Sequence, residues 1–207
     1  MTINNVFVLS TGRCGSLTFA RACEHFTNYT SGHETLAVGV IGAARFDYPE
    51  RHIESDNRLT WFLGQLAARF DDETTFYVHL QRDPEAVARS YLRRWNSTHR
   101  SGIARVYGRE LLLCARPESF RSREWPEDQR LEVCRSYVET ANSTIRLFLQ
   151  GRTWMPVMLE NVGEDFPRFI DRIGAEGNLE AAIAEWAVKH NASDTTGTAE
   201  EAPIGNE

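Results

Sequence analysis

The sequence predicts an α/β protein of three layers, in which helices cover both faces of a central parallel sheet. Short apolar runs at residues 5–9 and 74–80 have the length and composition of buried parallel strands. Segments with apolar residues at helical spacing follow both runs, and the first connection is a short loop with two glycines. Strands that alternate with helices in this way are typical of a parallel sheet covered on both sides.

The elements of the first half each depend on a local pattern. After the strand at residues 5–9, apolar residues at helical spacing predict a helix over residues 16–26, and a second strand is expected near residues 28–31. Residues 36–56 stay ambiguous, because Pro49 would interrupt any long helix there. A clear amphipathic pattern then predicts a helix over residues 57–70.

In the second half, a helix start follows the strand at residues 74–80. Asp83, Pro84 and Glu85 have the residue types of an N-cap, a first-turn proline and a first-turn acid, and they predict a helix that continues to Trp95. Residues 100–126 are rich in arginine and irregular, with short helices expected. The remaining predictions are helices over residues 127–149, 165–173 and 179–190 and a strand over residues 154–159.

Length and composition indicate one folded domain. Of the 207 residues, 42% are apolar and 25% are charged, which excludes a disordered or collagen-like chain. We expect a single domain over residues 1–193 and a disordered acidic tail over residues 194–207. The chain has no apolar run of about 18 residues, which a membrane span requires, and its N-terminus lacks the pattern of a secretory signal. The expected location is therefore cytoplasmic, with no membrane span.

The four cysteines predict reduced thiols. They stand at positions 14, 23, 114 and 134 and include no CxxC pair. Neither a disulfide framework nor a metal site is expected from such spacing.

Charge is distributed unevenly along the chain. The net charge is −6, yet residues 82–135 contain twelve arginines and only eight acidic residues. A locally bound small anion fits this pattern better than a nucleic acid, which would need a continuous basic face. A general preference for arginine explains many of these residues equally well, since Lys189 is the only lysine among 23 basic residues.

The loop after the first strand has the features of an anion site. Residues 10–18 read STGRCGSLT, in which Gly12 and Gly15 allow the backbone to wrap closely around an anion at the start of a helix. It is not a Walker A loop, because only two residues separate the glycines and no Lys-Ser/Thr pair follows. A plain strand-to-helix turn is the alternative. Cys14 as a nucleophile is a weaker hypothesis, because no partner base is identifiable.

A second anion site is predicted at residues 82–90. Arg82 ends a strand and Ser90 lies about two turns into the next helix, so the hydroxyl can lean back toward the guanidinium. A guanidinium and a hydroxyl together suit a phosphate. Alternatively, Arg82 pairs with Asp83 or Glu85, and Ser90 is a surface residue.

Together, the two segments resemble the sulfotransferases that use 3′-phosphoadenosine 5′-phosphosulfate (PAPS), of the bacterial type. The similarity covers about residues 5–34 and 75–95 and is looser at Leu159-Glu160 and at residues 189–191. It implies a P-loop-like fold, transfer of a sulfuryl group to a hydroxyl or amine acceptor, and adenosine 3′,5′-bisphosphate (PAP) as product. The implied ligands of the 5′-phosphosulfate are Gly12, Arg13, Cys14, Gly15, Ser16, Leu17 and Thr18, and Arg82 with Ser90 would bind the 3′-phosphate.

The sequence also departs from the family pattern. Arg13 stands where lysine is common, Cys14 replaces a commoner serine, and Leu17 stands where many members have threonine. The glycine-rich C-terminal loop of the eukaryotic enzymes is not evident, so the adenine-binding residues are open, with Trp95 as a stacking candidate.

The general base is expected after the second strand. Related sulfotransferases use a histidine or a glutamate, and this chain has His33 and Glu34 side by side. We favour Glu34, with His33 as the alternative and a loop pair without a role as the third reading. Arg13 would complete the catalytic set by binding the sulfonate.

Other functions stay open on the sequence alone. A P-loop kinase of a small metabolite is disfavoured by the missing Lys-Ser/Thr pair and by the absence of an evident magnesium-binding carboxylate after a strand. A nucleotide-binding protein of the same fold without catalysis is a further alternative. The acceptor, which could be a carbohydrate, a lipid or another small hydroxyl compound, and the oligomeric state are not predicted; residues 36–56 and 97–126 are expected to select the acceptor.

Overall fold

Five parallel strands form the centre of the molecule. The computed structural model describes residues 2–37, 39–96, 103–113 and 121–188. The strands are β1 (Asn5–Leu9), β2 (Thr30–His33), β3 (His52–Ser55), β4 (Thr75–Gln81) and β5 (Trp154–Met158). They are paired in the order β2-β3-β1-β4-β5, and every pairing is parallel.

Helices connect the strands. They are α1 (Ser16–Cys23), α2 (Leu63–Arg69), α3 (Pro84–Arg93), α4 (Ile103–Val106), α5 (Glu127–Phe148), α6 (Val162–Ile173) and α7 (Leu179–Ala184). Shorter turns of 3-10 helix occupy Gly42–Phe46, Asn57–Trp61, Leu159–Asn161 and Glu185–Ala187, and a π-helical turn at Tyr107–Leu112 continues α4. The predicted three-layer α/β fold is thereby confirmed, and its sheet is consistent with the expected P-loop-like architecture.

The central strand β1 supplies side chains to both helical layers. Val6 and Val8 join a hydrophobic cluster with aromatic residues of α1 and α6, such as Phe19 and Phe166. Residues 7 and 9 join a second cluster with α2 and the end of α5. Every residue of β1 is buried and all but Asn5 are apolar, as expected for a parallel strand covered on both faces. The loop that follows β1 therefore starts from a rigid position.

The sequence did not reveal β3, which lies in the region that the prediction left ambiguous. Its residues His52 and Glu54 are buried although both are ionisable. They satisfy each other, since His52 Nε2 lies 3.0 Å from Glu54 Oε2, and the second imidazole nitrogen lies 2.8 Å from Thr30 Oγ1. β3 lies between β1 and β2, so the loops after β1 and β2 do not follow neighbouring strands.

Several predicted boundaries shift. The strand predicted near residues 28–31 is β2, two residues later. The helix predicted over residues 57–70 is a 3-10 turn followed by α2, and the two are separated at Phe62, whose φ of −126° is not helical. The helix predicted over residues 179–190 is shorter in the structure, because α7 ends at Ala184. A 3-10 turn follows it at Glu185–Ala187. The predicted acidic tail at residues 194–207 lies outside the described residues.

Among the described residues, the structure contains no helix with the length and apolar character needed to cross a bilayer.

Candidate functional site

The loop between β1 and α1 has an unusual backbone. Gly12, Arg13 and Gly15 all have positive φ, at 77°, 62° and 90°. A positive φ is uncommon for arginine, and such strain occurs at ligand-binding and active sites. Gly15 precedes α1 without any side-chain cap, and the first turn of α1 contains no acidic residue. The N–H groups of that turn are thus directed toward the space before the helix, where an anion would be stabilised.

Two buried tyrosines hold the loop in this shape. The Tyr91 hydroxyl donates to the carbonyl oxygen of Thr11 at 2.7 Å, and the Tyr137 hydroxyl donates to the same atom at 2.9 Å. Their rings are in edge contact, with centroids 5.1 Å apart. Tyr91 on α3 and Tyr137 on α5 therefore hold the backbone of the loop in place. Neither tyrosine was predicted from the sequence to have a role at the site.

We expect Gly12→Ala to lower the free energy of unfolding by about 3 kcal/mol, measured by urea denaturation. A Cβ at Gly12 would lie 2.4 Å from the Tyr91 hydroxyl oxygen, which is buried and cannot move without losing its bond to Thr11. The control is Gly151→Ala, because Gly151 has nearly the same φ, 78°, and open space around it. It should cost only about 1 kcal/mol, for the backbone strain alone. Equal losses at both positions would contradict the close contact with Tyr91.

The second predicted anion site meets the first. Arg13 Nε donates to Ser90 Oγ at 3.2 Å, and Arg82 Nη1 donates to the carbonyl oxygen of Arg13 at 3.2 Å. Ser90 is buried on the face of α3 that points toward the loop. The structure therefore brings Arg13, Arg82 and Ser90 together at one end of the sheet.

The alternative partners of Arg82 are engaged elsewhere. Asp83 caps α3 by accepting from the N–H of Ala86 at 2.7 Å. Glu85 forms ion pairs with Arg89 and Arg135, each at 2.8 Å. The sequence alternative, in which Arg82 pairs with one of these acids and Ser90 lies on the surface, is not the arrangement that the structure shows.

Arg94 adds positive charge to this site. Burial lowers the pKa of the Arg13 guanidinium, and repulsion by Arg94 and then by Arg82 lowers it further. Three arginines close together in a partly buried place favour an anionic ligand, which would relieve their repulsion. Arg94 was missed as a site residue, although it directly follows α3, four residues after Ser90, which is the spacing of neighbours on one helix face.

The two candidate bases have different surroundings. His33 Nε2 lies 3.1 Å from Ser16 Oγ at the start of α1, and burial lowers the pKa of this imidazole. Glu34 adopts a positive φ of 55° and forms an ion pair with Arg58 at 2.5 Å. The structure thus places His33 beside the loop and directs the Glu34 carboxylate to Arg58.

Four residues of the loop and of the start of α1 differ in exposure. The Cys14 thiol is fully buried against Thr11, and burial raises its pKa to about 11, which disfavours a thiolate nucleophile. Thr18 is buried on α1, whereas Ser16 and Leu17 are partly exposed. Only Ser16 has its hydroxyl in contact with a candidate base.

The remaining sequence candidates are Trp95, Glu160 and residues 189–191. Trp95, considered for adenine stacking, is buried: its indole N–H donates to Ser122 at 2.7 Å, and its ring packs against Trp125. Glu160 lies near the loop, where its Oε1 accepts from the N–H of Asp83 at 3.0 Å. Residues 189–191 lie outside the described residues. Within the described part of the chain, no group of three or more His, Cys, Asp or Glu side chains could hold a metal ion.

Comparisons of the chain with protein-family models, with curated proteins and with solved structures found no match. Function is therefore inferred from the geometry of the loop and of α3, which packs beside it.

Proposed function

We propose that the chain is a sulfotransferase that moves a sulfuryl group from PAPS to a hydroxyl or amine acceptor. The observation that carries this proposal is the direct contact between the two predicted anion sites, Arg13 Nε to Ser90 Oγ at 3.2 Å. A nucleotide with phosphate groups on both its 5′ and 3′ positions needs two anion sites on one surface. The cluster of Arg13, Arg82 and Ser90 meets this need for two anion sites on one surface.

The 5′-phosphosulfate would bind at the start of α1. The N–H groups there are uncapped by any side chain, and the helix dipole favours negative charge. The Ser16 hydroxyl adds a donor beside the reacting sulfonate. Since charge develops on the bridging oxygen during transfer, donors held in place by the strained loop lower the barrier without reorganising.

The 3′-phosphate would bind between Arg82 and Ser90. A guanidinium presents paired donors that match two phosphate oxygens, and the buried Ser90 hydroxyl would fix the position of the phosphate. Arg13, whose side chain reaches Ser90, would lie between the two ends of the nucleotide. Arg94 contributes further positive charge.

We assign proton acceptance to His33 rather than to Glu34. Its lowered pKa keeps the imidazole neutral at pH 7, so that it can accept a proton, whereas Glu34 is paired with Arg58. In the proposed step the acceptor oxygen forms a bond to sulfur and its proton passes to His33. The bond between sulfur and the bridging oxygen breaks, and the electron pair leaves with PAP.

Binding of the product PAP is expected to raise the melting temperature without any metal. At about 100 times its Kd a ligand adds about 2.7 kcal/mol of stability, which is roughly 5–10 °C for a domain of this size. Differential scanning fluorimetry with PAP, and separately with ATP and magnesium, measures this. A rise in melting temperature with ATP and magnesium, but not with PAP, would favour the kinase alternative.

Asp56 bears on the kinase alternative because it follows β3, where a magnesium-binding carboxylate is expected. The carboxylate is fully buried and lies 3.2 Å from Arg45 Nη2, and burial raises its pKa to about 6. Engaged in this way, Asp56 is poorly suited to a cation.

Transfer of labelled sulfate from PAPS to a panel of hydroxyl compounds tests catalysis itself. Label on any acceptor supports the proposal. Binding of PAP with no transfer to carbohydrate, lipid or phenolic acceptors would favour a nucleotide-binding protein without catalysis.

A further inference from the structure

A fully buried carboxylate lies beside the turn that follows His33. It belongs to Glu54 on β3, whose Oε1 accepts from the backbone N–H of Thr35 at 2.8 Å and whose Oε2 lies 3.0 Å from His52 Nε2. A buried carboxylate is costly unless hydrogen bonds satisfy it, and apolar residues of the same volume often give as much stability. A role in placing other groups therefore explains Glu54 better than stability does.

The second partner of Glu54 is itself fixed. His52 Nδ1 lies 2.8 Å from Thr30 Oγ1 on β2, and the imidazole stacks on the ring of Tyr48 with centroids 5.6 Å apart. Because His52 is held on both sides, it holds one oxygen of the Glu54 carboxylate in place. The other oxygen is thereby kept directed at the N–H of Thr35.

The turn that Glu54 holds has a strained backbone. Glu34 lies between His33 and Thr35 and has a φ of 55°, which is uncommon for a residue with a side chain. Such a conformation persists only where the surrounding structure imposes it. The N–H of Glu34 donates to the carbonyl oxygen of Ser55 at 3.2 Å, and the next N–H along the chain is the one bound by Glu54. Glu54 thus fixes the backbone directly after His33.

The residue before His33 leaves room for the same carboxylate. Gly32 is the register partner of Glu54 in the parallel pair of β2 and β3. An added Cβ at Gly32 would lie 2.9 Å from Glu54 Oε2 and closer still to Thr35 Oγ1. The backbone on both sides of His33 therefore depends on where the Glu54 carboxylate lies.

We propose that Glu54 is a positioning residue that holds the imidazole of His33 beside Ser16 at the start of α1. The inference rests on the proposed function, in which His33 accepts the proton of the acceptor. Because neighbouring residues of a strand point to opposite faces, Glu54, which packs on Gly32, acts on His33 through the backbone. A misplacement of about 1 Å in a catalytic group can cost about 10²-fold in rate.

Glu54→Gln tests the proposal, because glutamine keeps the size of the side chain but weakens the hydrogen bond to Thr35 by removing the charge. We expect turnover for sulfuryl transfer to fall by about tenfold or more, with the Kd for PAP nearly unchanged, since the anion sites are untouched. Gly32→Ala should have the same effect without removing an ionisable group, because the added Cβ displaces the carboxylate. Single-turnover transfer and calorimetric titration of PAP measure the two quantities.

The dependence of kcat/KM on pH separates positioning from a general loss of stability. Burial lowers the pKa of His33. Four charged groups near the imidazole act on this pKa as well: the carboxylates of Glu34 and Glu54 raise it, and the guanidinium groups of Arg58 and Arg21 lower it. Without the charge of Glu54 the pKa should fall further, so the acidic limb of the profile should move to lower pH in Glu54→Gln. A purely structural role would not move this limb.

Asp165→Asn is the matched control. Asp165 on α6 is also a buried carboxylate that accepts from a backbone N–H, that of Met158 at 2.9 Å. Met158 ends β5, at the opposite edge of the sheet from β2. The substitution should lower stability but leave the turnover of the folded protein and its pH profile unchanged.

The outcomes separate this inference from the proposed function. Wild-type turnover in both Glu54→Gln and Gly32→Ala, with a large loss in His33→Gln, would overturn the inference alone. If Glu54→Gln does not fold, Gly32→Ala decides in the same way. An equal loss in Asp165→Asn would reduce Glu54 to a structural role. Turnover that His33→Gln leaves unchanged would overturn the proposed base, and the positioning role of Glu54 with it.

Discussion

His33→Gln is expected to lower the turnover number for sulfuryl transfer by about 10²–10⁴-fold, the usual contribution of a general base. The Kd for PAP should stay nearly the same, because glutamine keeps a polar group near Ser16 and the anion sites are untouched. Single-turnover transfer of labelled sulfate, together with calorimetric titration of PAP, separates the two quantities.

Glu34→Gln is the matched control for this experiment. It removes a carboxylate one residue away and should leave turnover within about tenfold of the wild type, because Glu34 holds Arg58 and not the acceptor. The opposite result, a large loss for Glu34→Gln and a small one for His33→Gln, would return the base to Glu34, which the sequence favoured.

The dependence of kcat/KM on pH adds a second readout for His33. An ordinary imidazole has a pKa of about 6.5, and burial lowers the pKa of His33. The neutral, proton-accepting form therefore persists at more acidic pH than it would for a free histidine. Activity should be level above pH 7 and fall only below the usual histidine range, and His33→Gln should abolish that fall.

The sequence predicted the fold because most strands are apolar. Four of the five residues of the strand at residues 5–9 are apolar, and all five are buried in the structure. The strand β3 was missed for the opposite reason. Its His52 and Glu54 are polar in the sequence, and only the folded chain places them within 3.0 Å of each other, where their burial becomes possible.

The site could be predicted only in part for a similar reason. Residues 10–18 and 82–90 have local signals, namely two glycines after a strand and an arginine eight residues before a serine. The residues that support them come from distant positions and have no local signal. Tyr137 is 126 residues from Thr11, whose carbonyl oxygen it binds, and only packing of α5 beneath the loop brings the two together.

The choice between His33 and Glu34 depended on contacts that spacing cannot show. Adjacent residues at the end of a strand face different directions, and the sequence does not say which one turns toward the loop. The positive φ of Glu34 and the position of Arg58 decide this in the structure.

Arg82→Ala is expected to weaken the binding of PAP by about 10- to 100-fold, since a charge-assisted hydrogen bond contributes about 1.5–3 kcal/mol. The variant should lose much less affinity for adenosine 5′-phosphate, which lacks the 3′-phosphate, because the 5′ end would bind at the start of α1. Calorimetric titration of both nucleotides measures the two losses. Equal losses for both would place Arg82 outside the 3′-phosphate site.

Arg89→Ala supplies the control, because it removes an arginine of the same helix whose side chain is exposed and paired with Glu85. Both variants lose one positive charge, so any general electrostatic effect on an anionic nucleotide appears in each of them. Only a guanidinium in contact with the 3′-phosphate makes the loss depend on that phosphate. The difference between the PAP and adenosine 5′-phosphate losses should therefore be large for Arg82→Ala and near zero for Arg89→Ala.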